Sequence, residues 1–253
     1  MRIAALVSVL LLLIACTPKA RQDSTPVVSQ NTKICPVPTV EICTPIFLDD
    51  IQIEEETAGY IIGINYPVLC SADATRTIRD HVTRSLSDFK KDFPEHDLRD
   101  YPVKHEMIVE HAIWPAGNGR LASVKLQVMV YTGGAHPNHW PVTWVFDMTD
   151  GEALNLDDIF INEQDALIEI APMVREVLIA KLGQMYLPDM LDDGTTPVVS
   201  NYDDFILNDE GIVFYFAPYQ VAPYAAGQQM VTIPYGDVKE LLTAEIKEII
   251  SVN

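Results

Sequence analysis

The sequence predicts an α+β fold: antiparallel sheets with helices packed on one side, divided into two small subdomains. Two observations carry this. Runs that alternate apolar and polar residues come in pairs separated by turn residues, and helical periodicity is confined to a few blocks between those pairs. A third sets the size of the problem: the first 44 or so residues carry no core pattern, which leaves about 200 residues for the fold, enough for a sizeable core.

The chain opens with Arg2 and a nearly unbroken apolar run from Ile3 to Ala15, then Cys16. That run is too short to span a bilayer as a mature helix and has the form of a secretory signal, residues 1–15. Its ending, Leu13-Ile14-Ala15-Cys16, resembles the bacterial lipobox. The resemblance implies cleavage before Cys16 and lipidation of that residue, a membrane anchor for an otherwise soluble protein. Thr17 rather than Asp follows, so in a cell with two membranes the expected place is the outer membrane, facing the periplasm. Residues 16–44, rich in Pro, Ser, Thr and Gln, read as a tether.

An N-terminal α+β subdomain is expected over residues 45–125. Phe47 to Val68 reads as a hairpin turned at Glu54 to Gly59. Folding about Glu56 and Thr57 places Ile53 against Tyr60, Ile51 against Ile62 and Phe47 against Tyr66, and extends to Cys43 opposite Cys70. Three cysteines besides Cys16 in an oxidising compartment leave one over. Register favours Cys43 with Cys70, and Cys35 with Cys43 is the competitor. Ser71 caps a helix from about Ala72 to Phe93, with Ile78, Val82, Leu86, Phe89 and Phe93 on one face and Arg79, Asp80, Arg84, Asp88 and Lys91 on the other. Pro94 ends it. Strand runs at Val103 to Trp114 and Arg120 to Tyr131 flank Asn118-Gly119, a hairpin turn signal. On the second run Ala122, Val124, Leu126, Val128 and Val130 make the apolar face, and Ser123, Lys125 and Gln127 are expected to be wet.

A C-terminal α+β domain is expected over residues 126–253. It has a strand through Trp140, Val142, Trp144 and Phe146, a helix from about Glu163 to Met185, a polar loop at Asp192 to Gly194, a hairpin of Phe205 to Leu207 with Ile212 to Phe216, a strand at Met230 to Ile233 and a final helix from Gly236 to about Ile250.

Acidic residues number 36 against 17 basic ones, a formal charge of −19. This argues against nucleic acid and against charge-driven binding to anionic lipid, and leaves cationic partners open. The sequence contains no G-x-S-x-G, no H-E-x-x-H and no phosphate-cradling Gly loop. Asp157-Asp158, Asp192-Asp193 and Asp203-Asp204 are neighbours in sequence, a spacing that suits capping or solvation better than a shared proton. His105 and His111 share strand parity with Met107 and Val109, as partly buried structural histidines would.

The stretch "VYTGGAHPNHWPVTWVFD" at 130–147 concentrates unusual residue types. Gly133 and Gly134 allow positive φ, Pro137 fixes φ, and Asn138 hydrogen-bonds its own chain, which suits a strained turn or crossing that shapes a pocket. His136 reads either as hydrogen-bonded beneath that turn or as a ligand contact. His136 and His139 lack an identifiable third metal ligand, and no metal or cofactor is predicted. Tyr219, Tyr224, Tyr235, Trp140 and Trp144 have the chemistry of a sugar-stacking platform, although aromatics at strand spacing more often form core.

Three motifs, "YTGGAHPN" at 131–138, "FDMTDGEALNLDDIF" at 146–160 and "YQVAPYAAG" at 219–227, together resemble the extracytoplasmic domain of unknown function shared by RsiV-type lysozyme-sensing anti-sigma factors and PdaC-type peptidoglycan deacetylases. The resemblance covers nearly the whole mature chain, with residues 45–125 matching the smaller PdaC-like partner and 126–253 the RsiV-like part. No sigma-binding segment precedes the signal and no deacetylase domain follows, so neither activity carries over. The resemblance implies a non-enzymatic lipoprotein module that binds or senses cell-wall material, such as peptidoglycan, or a cationic wall-attacking protein such as lysozyme. The motif residues it singles out are Tyr131, Gly133, Gly134, His136, Asn138, Tyr219 and Tyr224. The alternative is a glycan or peptidoglycan hydrolase that uses His136 with an acidic residue such as Asp147 as general acid and base.

Overall fold

The computed structural model describes residues 42–93 and 103–251. The signal, the lipidation site Cys16, Cys35 and most of the expected tether lie outside these residues. Among the described residues, no helix is long and apolar enough to cross a membrane.

A six-stranded sheet has the order β1 (Phe47–Glu56), β2 (Tyr60–Leu69), β3 (His105–Ala116), β4 (Leu121–Tyr131), β5 (Asn138–Asp147) and β6 (Ala153–Leu154). Helix α1 (Ala72–Asp92) connects β2 to β3. A three-stranded sheet is made of β7 (Phe205–Leu207), β8 (Gly211–Phe216) and β9 (Gln229–Pro234). The remaining helices are α2 (Leu156–Ile159), α3 (Glu163–Leu182), α4 (Pro188–Gly194), α5 (Tyr235–Val238) and α6 (Ala244–Ile249). The α+β class therefore holds. One pair, β2 with β3, is parallel, because a helix-length crossover between two neighbouring strands returns the chain in the same direction. A boundary at residue 125 would cut β4, which pairs with β3 and β5 on either side of that point, so the large sheet is shared between the two parts of the chain.

The molecule stacks α1, the large sheet, the small sheet and α3. Ser71 caps α1 by accepting from the Ala74 amide, and Ile78, Val82 and Phe89 are buried against Ile62, Ile64, Met107, Val109, Val124 and Leu126. On the other side, Ile212, Phe214 and Phe216 of β8 face a core that includes Leu167, Ile170, Val174 and Leu178 of α3. Between the sheets lie Ile206, Val213 and Tyr215, with Trp114 packed against them. Each sheet thus has helices on one face and the other sheet on the opposite face. Ser123, Lys125 and Gln127, expected to be wet, correct that reading: they lie on the face that meets the small sheet, and Ser123 is fully buried. Its hydroxyl donates to the Leu207 carbonyl at 2.7 Å and accepts from the Leu207 amide at 2.9 Å, pinning one sheet to the other.

Three local expectations shift. The first hairpin turns at Thr57 to Gly59, where the Thr57 hydroxyl accepts from the Gly59 and Tyr60 amides. Ile53 therefore faces Ile64 and Ile51 faces Tyr66, four residues from the expected register. Cys43 and Cys70 nevertheless form a disulfide, with Cα atoms 5.9 Å apart. A bulge at Leu48 and a bond from the Cys70 amide to the Ile46 carbonyl bring the two cysteines together outside the ladder. The polar loop expected at Asp192 to Gly194 is the end of α4, and a Cβ on Gly194 would stand 2.0 Å from the Gln220 carbonyl. The final helix is broken: Leu242 bridges to Phe160 and Thr243 caps α6 through the Ile246 amide. The turn at Asn118 is as expected, with positive φ at Gly117, Asn118 and Gly119.

Candidate functional site

Two of the three motifs meet. The loop between β4 and β5 carries His136, and the loop between β8 and β9 carries Tyr219 and Tyr224. The His136 ring stacks on Tyr224 with centroids 3.6 Å apart and planes 18° apart, and His139 makes an edge contact with the same ring at 5.6 Å. Tyr219 lies 5.5 Å from Tyr224 by ring centroid, and its hydroxyl is 3.4 Å from His136 Nε2. The Tyr224 hydroxyl donates to the Pro137 carbonyl at 2.6 Å, so its ring is held by the crossing chain itself. His136 Nδ1 lies 3.1 Å from that same carbonyl oxygen. Tyr131 closes the loop from below by donating to the Gly134 carbonyl at 3.0 Å. Gly133 has φ +86°, as the turn requires, whereas Gly134 does not use the left-handed region, and a Cβ there would meet nothing closer than 3.9 Å. Asn138, also singled out, is exposed and starts β5 opposite Val130.

Tyr219 is the unusual member. Its φ is +71°, a conformation that costs a bulky L residue on the order of 1 kcal/mol or more. Its side chain is 54% exposed, so burial does not explain why an aromatic residue stands there. Neighbouring Gln220 holds the loop in place, donating to the Gly194 and Asn201 carbonyls and accepting from the Ala217 amide. The other proposed platform members are elsewhere: Tyr235 is buried and donates to the Asn208 carbonyl, and Trp144 packs on His81 and Phe146 at the α1 face. Trp140 shares the parity of Trp144 on β5 and so faces away from the cluster.

A second polar group lies between the sheets and was missed by sequence reasoning. Lys125 places its ammonium 4.8 Å from the Tyr215 ring centroid and donates to Gln127 Oε1 at 3.2 Å, and burial pulls its pKa down. Asp204, whose carbonyl accepts from the Tyr215 amide, is half-buried. Burial first, and then the Asp203 carboxylate, push its pKa up to about 7, only partly offset by neighbouring Thr143. The adjacent Asp-Asp spelling was the available signal, but its effect depends on β5 lying over β7, which the sequence does not display.

The acid–base pair of the hydrolase alternative does not form. His136 precedes β5 and Asp147 ends it, so a ten-residue strand, ~30 Å long, separates them. Asp147 instead pairs with Arg120, which also binds Glu245, beside an acidic cavity of about 210 Å³. His105 and His111 are partly buried as expected, and His111 Nε2 contacts Asp50 at 2.6 Å. Among the described residues no three His, Cys, Asp or Glu side chains converge on a common point for a metal.

Residues 157–236, which include Tyr219 and Tyr224 but not His136, match the family described as protein of unknown function DUF3298. Over 180 residues the chain is 25% identical to the peptidoglycan-N-acetylmuramic acid deacetylase PdaC of Bacillus subtilis, covering 71% of this chain and 38% of that protein. It is 23% identical to an esterase of Mycobacterium tuberculosis, covering 72% and 78% of the two chains. A solved DUF3298-family structure from Bacteroides fragilis superposes with a TM-score of 0.58 at 20% identity, covering 80% of this chain and 96% of that one, which supports the fold alone. The motif resemblance to the extracytoplasmic domain found in PdaC-type proteins is thereby borne out by the DUF3298 match at residues 157–236 and the similarity to PdaC.

Proposed function

We propose that the mature protein is a lipid-anchored envelope module that binds cell-wall material through Tyr219, Tyr224 and His136. The observation that carries this reading is Tyr219, an exposed aromatic residue held at positive φ over a stacked Tyr–His pair. Strain retained without burial is characteristic of a surface shaped for a ligand. A tyrosine there offers an apolar face to a sugar ring and a hydroxyl to its substituents. The lipobox at Cys16 and the peptidoglycan enzyme among its relatives support the placement and the class of ligand.

The relatives named deacetylase and esterase favour a second reading, hydrolysis, in which His136 acts with a group other than Asp147. Both readings are tested by incubating the detergent-solubilised mature protein with purified insoluble peptidoglycan. We expect saturable co-sedimentation without release of acetate or wall fragments. Tyr219→Gly should abolish it while leaving the melting temperature unchanged or raised, since glycine relieves the positive φ. Release of products that depends on His136 would establish hydrolysis instead. Capture of lysozyme with no affinity for the wall would move the ligand to the cationic protein.

A further inference from the structure

We infer that the aromatic cluster is one end of a longer groove, which crosses the open half of the large sheet and takes a neutral glycan chain. This rests on the wall-binding reading above and names the ligand's chemistry and path.

Strand pairing lays out the path. Met129 pairs with His139, Ile108 with Met129, Gly63 with Ile108 and Glu54 with Gly63, so one row of side chains runs from the Tyr224 contact at His139 across to β1. From His139 to Gly63 is three inter-strand spacings, ~14 Å. The small sheet meets this face around Trp114, Ser123 and Lys125, toward the far ends of β3 and β4. Ile108 and Met129 remain partly exposed. At the β1 side the row opens into a cavity of about 230 Å³ lined by Gln52, Glu54, Gly63, Asn65, Ile108 and Glu110.

Gly63 makes this more than a bare sheet face. A glycine inside a strand weakens it, and commonly marks a bulge, a tight bend, or a place where a backbone or a ligand comes close. No bulge is present, because the register of β2 with both β1 and β3 runs through residue 63 without a shift. Gly63 is not among the glycines with positive φ. No backbone crowds it either: a Cβ would meet only the Ile108 Cδ1 methyl, at 3.3 Å. What the missing side chain creates is the floor of the cavity. Around that floor stand the carboxylates of Glu54 and Glu110 and the amides of Gln52 and Asn65. Apolar floor residues with a rim of hydrogen-bonding groups fit a chain of sugar rings, each with an apolar face and polar edges. The carboxylates disfavour an anionic polymer.

The probe is a series of chitooligosaccharides, dimer to hexamer, titrated calorimetrically into the mature protein. Affinity should rise about ten-fold from dimer to hexamer. Gly63→Val, a residue suited to a strand interior, should reduce the hexamer to the affinity of the dimer while keeping the melting temperature. Asn65→Ala should do the same in part, and decides the matter if Gly63→Val does not fold. Tyr219→Gly should weaken every length. Length-independent affinity, or a length dependence that survives both Gly63→Val and Asn65→Ala, overturns the groove. So does binding of hexalysine that Gly63→Val removes, which would assign the face to a basic peptide. Retained co-sedimentation with peptidoglycan in either case leaves the wall-binding reading standing, whereas loss of both would overturn that reading as well.

Discussion

The two faces of β4 differ in what they bury and in how plainly their residues announce it. Ala122, Val124, Leu126 and Val128 pack under α1 and are all but inaccessible. Leu121, Ser123, Lys125, Gln127 and Met129 alternate with them on the face shared with the small sheet. There Leu121 and Ser123 are fully buried while the next three are partly exposed. To the first face β4 contributes only apolar side chains. The second is held by a serine that bonds the backbone of another sheet, an ammonium over an aromatic ring and a half-buried carboxyl. Apolar alternation along a strand identifies one side as core and does not identify the other as solvent.

The largest effect expected from this difference is on the first face. Leu126→Ala removes buried methyl groups where rigid neighbours cannot fully collapse, and should cost about 2–5 kcal/mol in denaturant unfolding. A loss below ~1 kcal/mol would show that the α1 face is loosely packed and that the contrast between the faces is overstated.

The second face should respond to a much smaller chemical change. Ser123→Ala deletes one oxygen, yet it leaves both the amide and the carbonyl of Leu207 without their partner inside the molecule. Leaving such buried groups unpaired costs ~1–3 kcal/mol. Hydrogen exchange sharpens the comparison: the Leu207 amide should lose protection in Ser123→Ala while amides of β2 under α1 keep theirs. Equal loss at both places would mean that the serine supports global stability and does not specifically join the sheets.

The same contrast explains what the sequence could and could not disclose. Helix α1 was legible because its period, its Ser71 cap and its Pro94 stop are all local signals, and the hairpin at Asn118 was legible because its turn demands positive φ. The Cys43–Cys70 pair was identified although the register behind it was wrong by four residues, since a bulge at Leu48 and the turn at Thr57 both act on where the strands end. The break in the last helix depends on a bridge between Leu242 and Phe160, which lie far apart in sequence. At the candidate site, Gly133, His136, Tyr219 and Tyr224 were singled out by composition and motif, and the structure brings them together. Gly63 and Asp204 were passed over, because a missing side chain and an ordinary Asp-Asp pair gain meaning only from the strands around them.

Asp204 gives the smallest and most diagnostic effect. Its carboxyl has an ordinary pKa near 3.9 when the chain is unfolded and one raised to about 7 when folded. Between those values the folded state binds more protons than the unfolded state, so this group's contribution to stability falls as pH rises through the window and is gone above pH 7. That is opposite in sign to a salt-bridged carboxylate, whose contribution is lost on acidification. Asp204→Asn keeps the shape and removes the titration. The variant and the native protein should therefore have similar stability near pH 4, then separate with the variant the more stable, by ~1 kcal/mol or more at pH 8. The separation should open between pH 4 and 7 and stay flat above. Parallel stability curves from pH 4 to 8 would mean that Asp204 is solvated in the folded protein, and the polar face of β4 would then be wetter than its partner sheet implies. A separation that opens in the opposite direction would mean that Asp204 is held as a carboxylate in the folded protein.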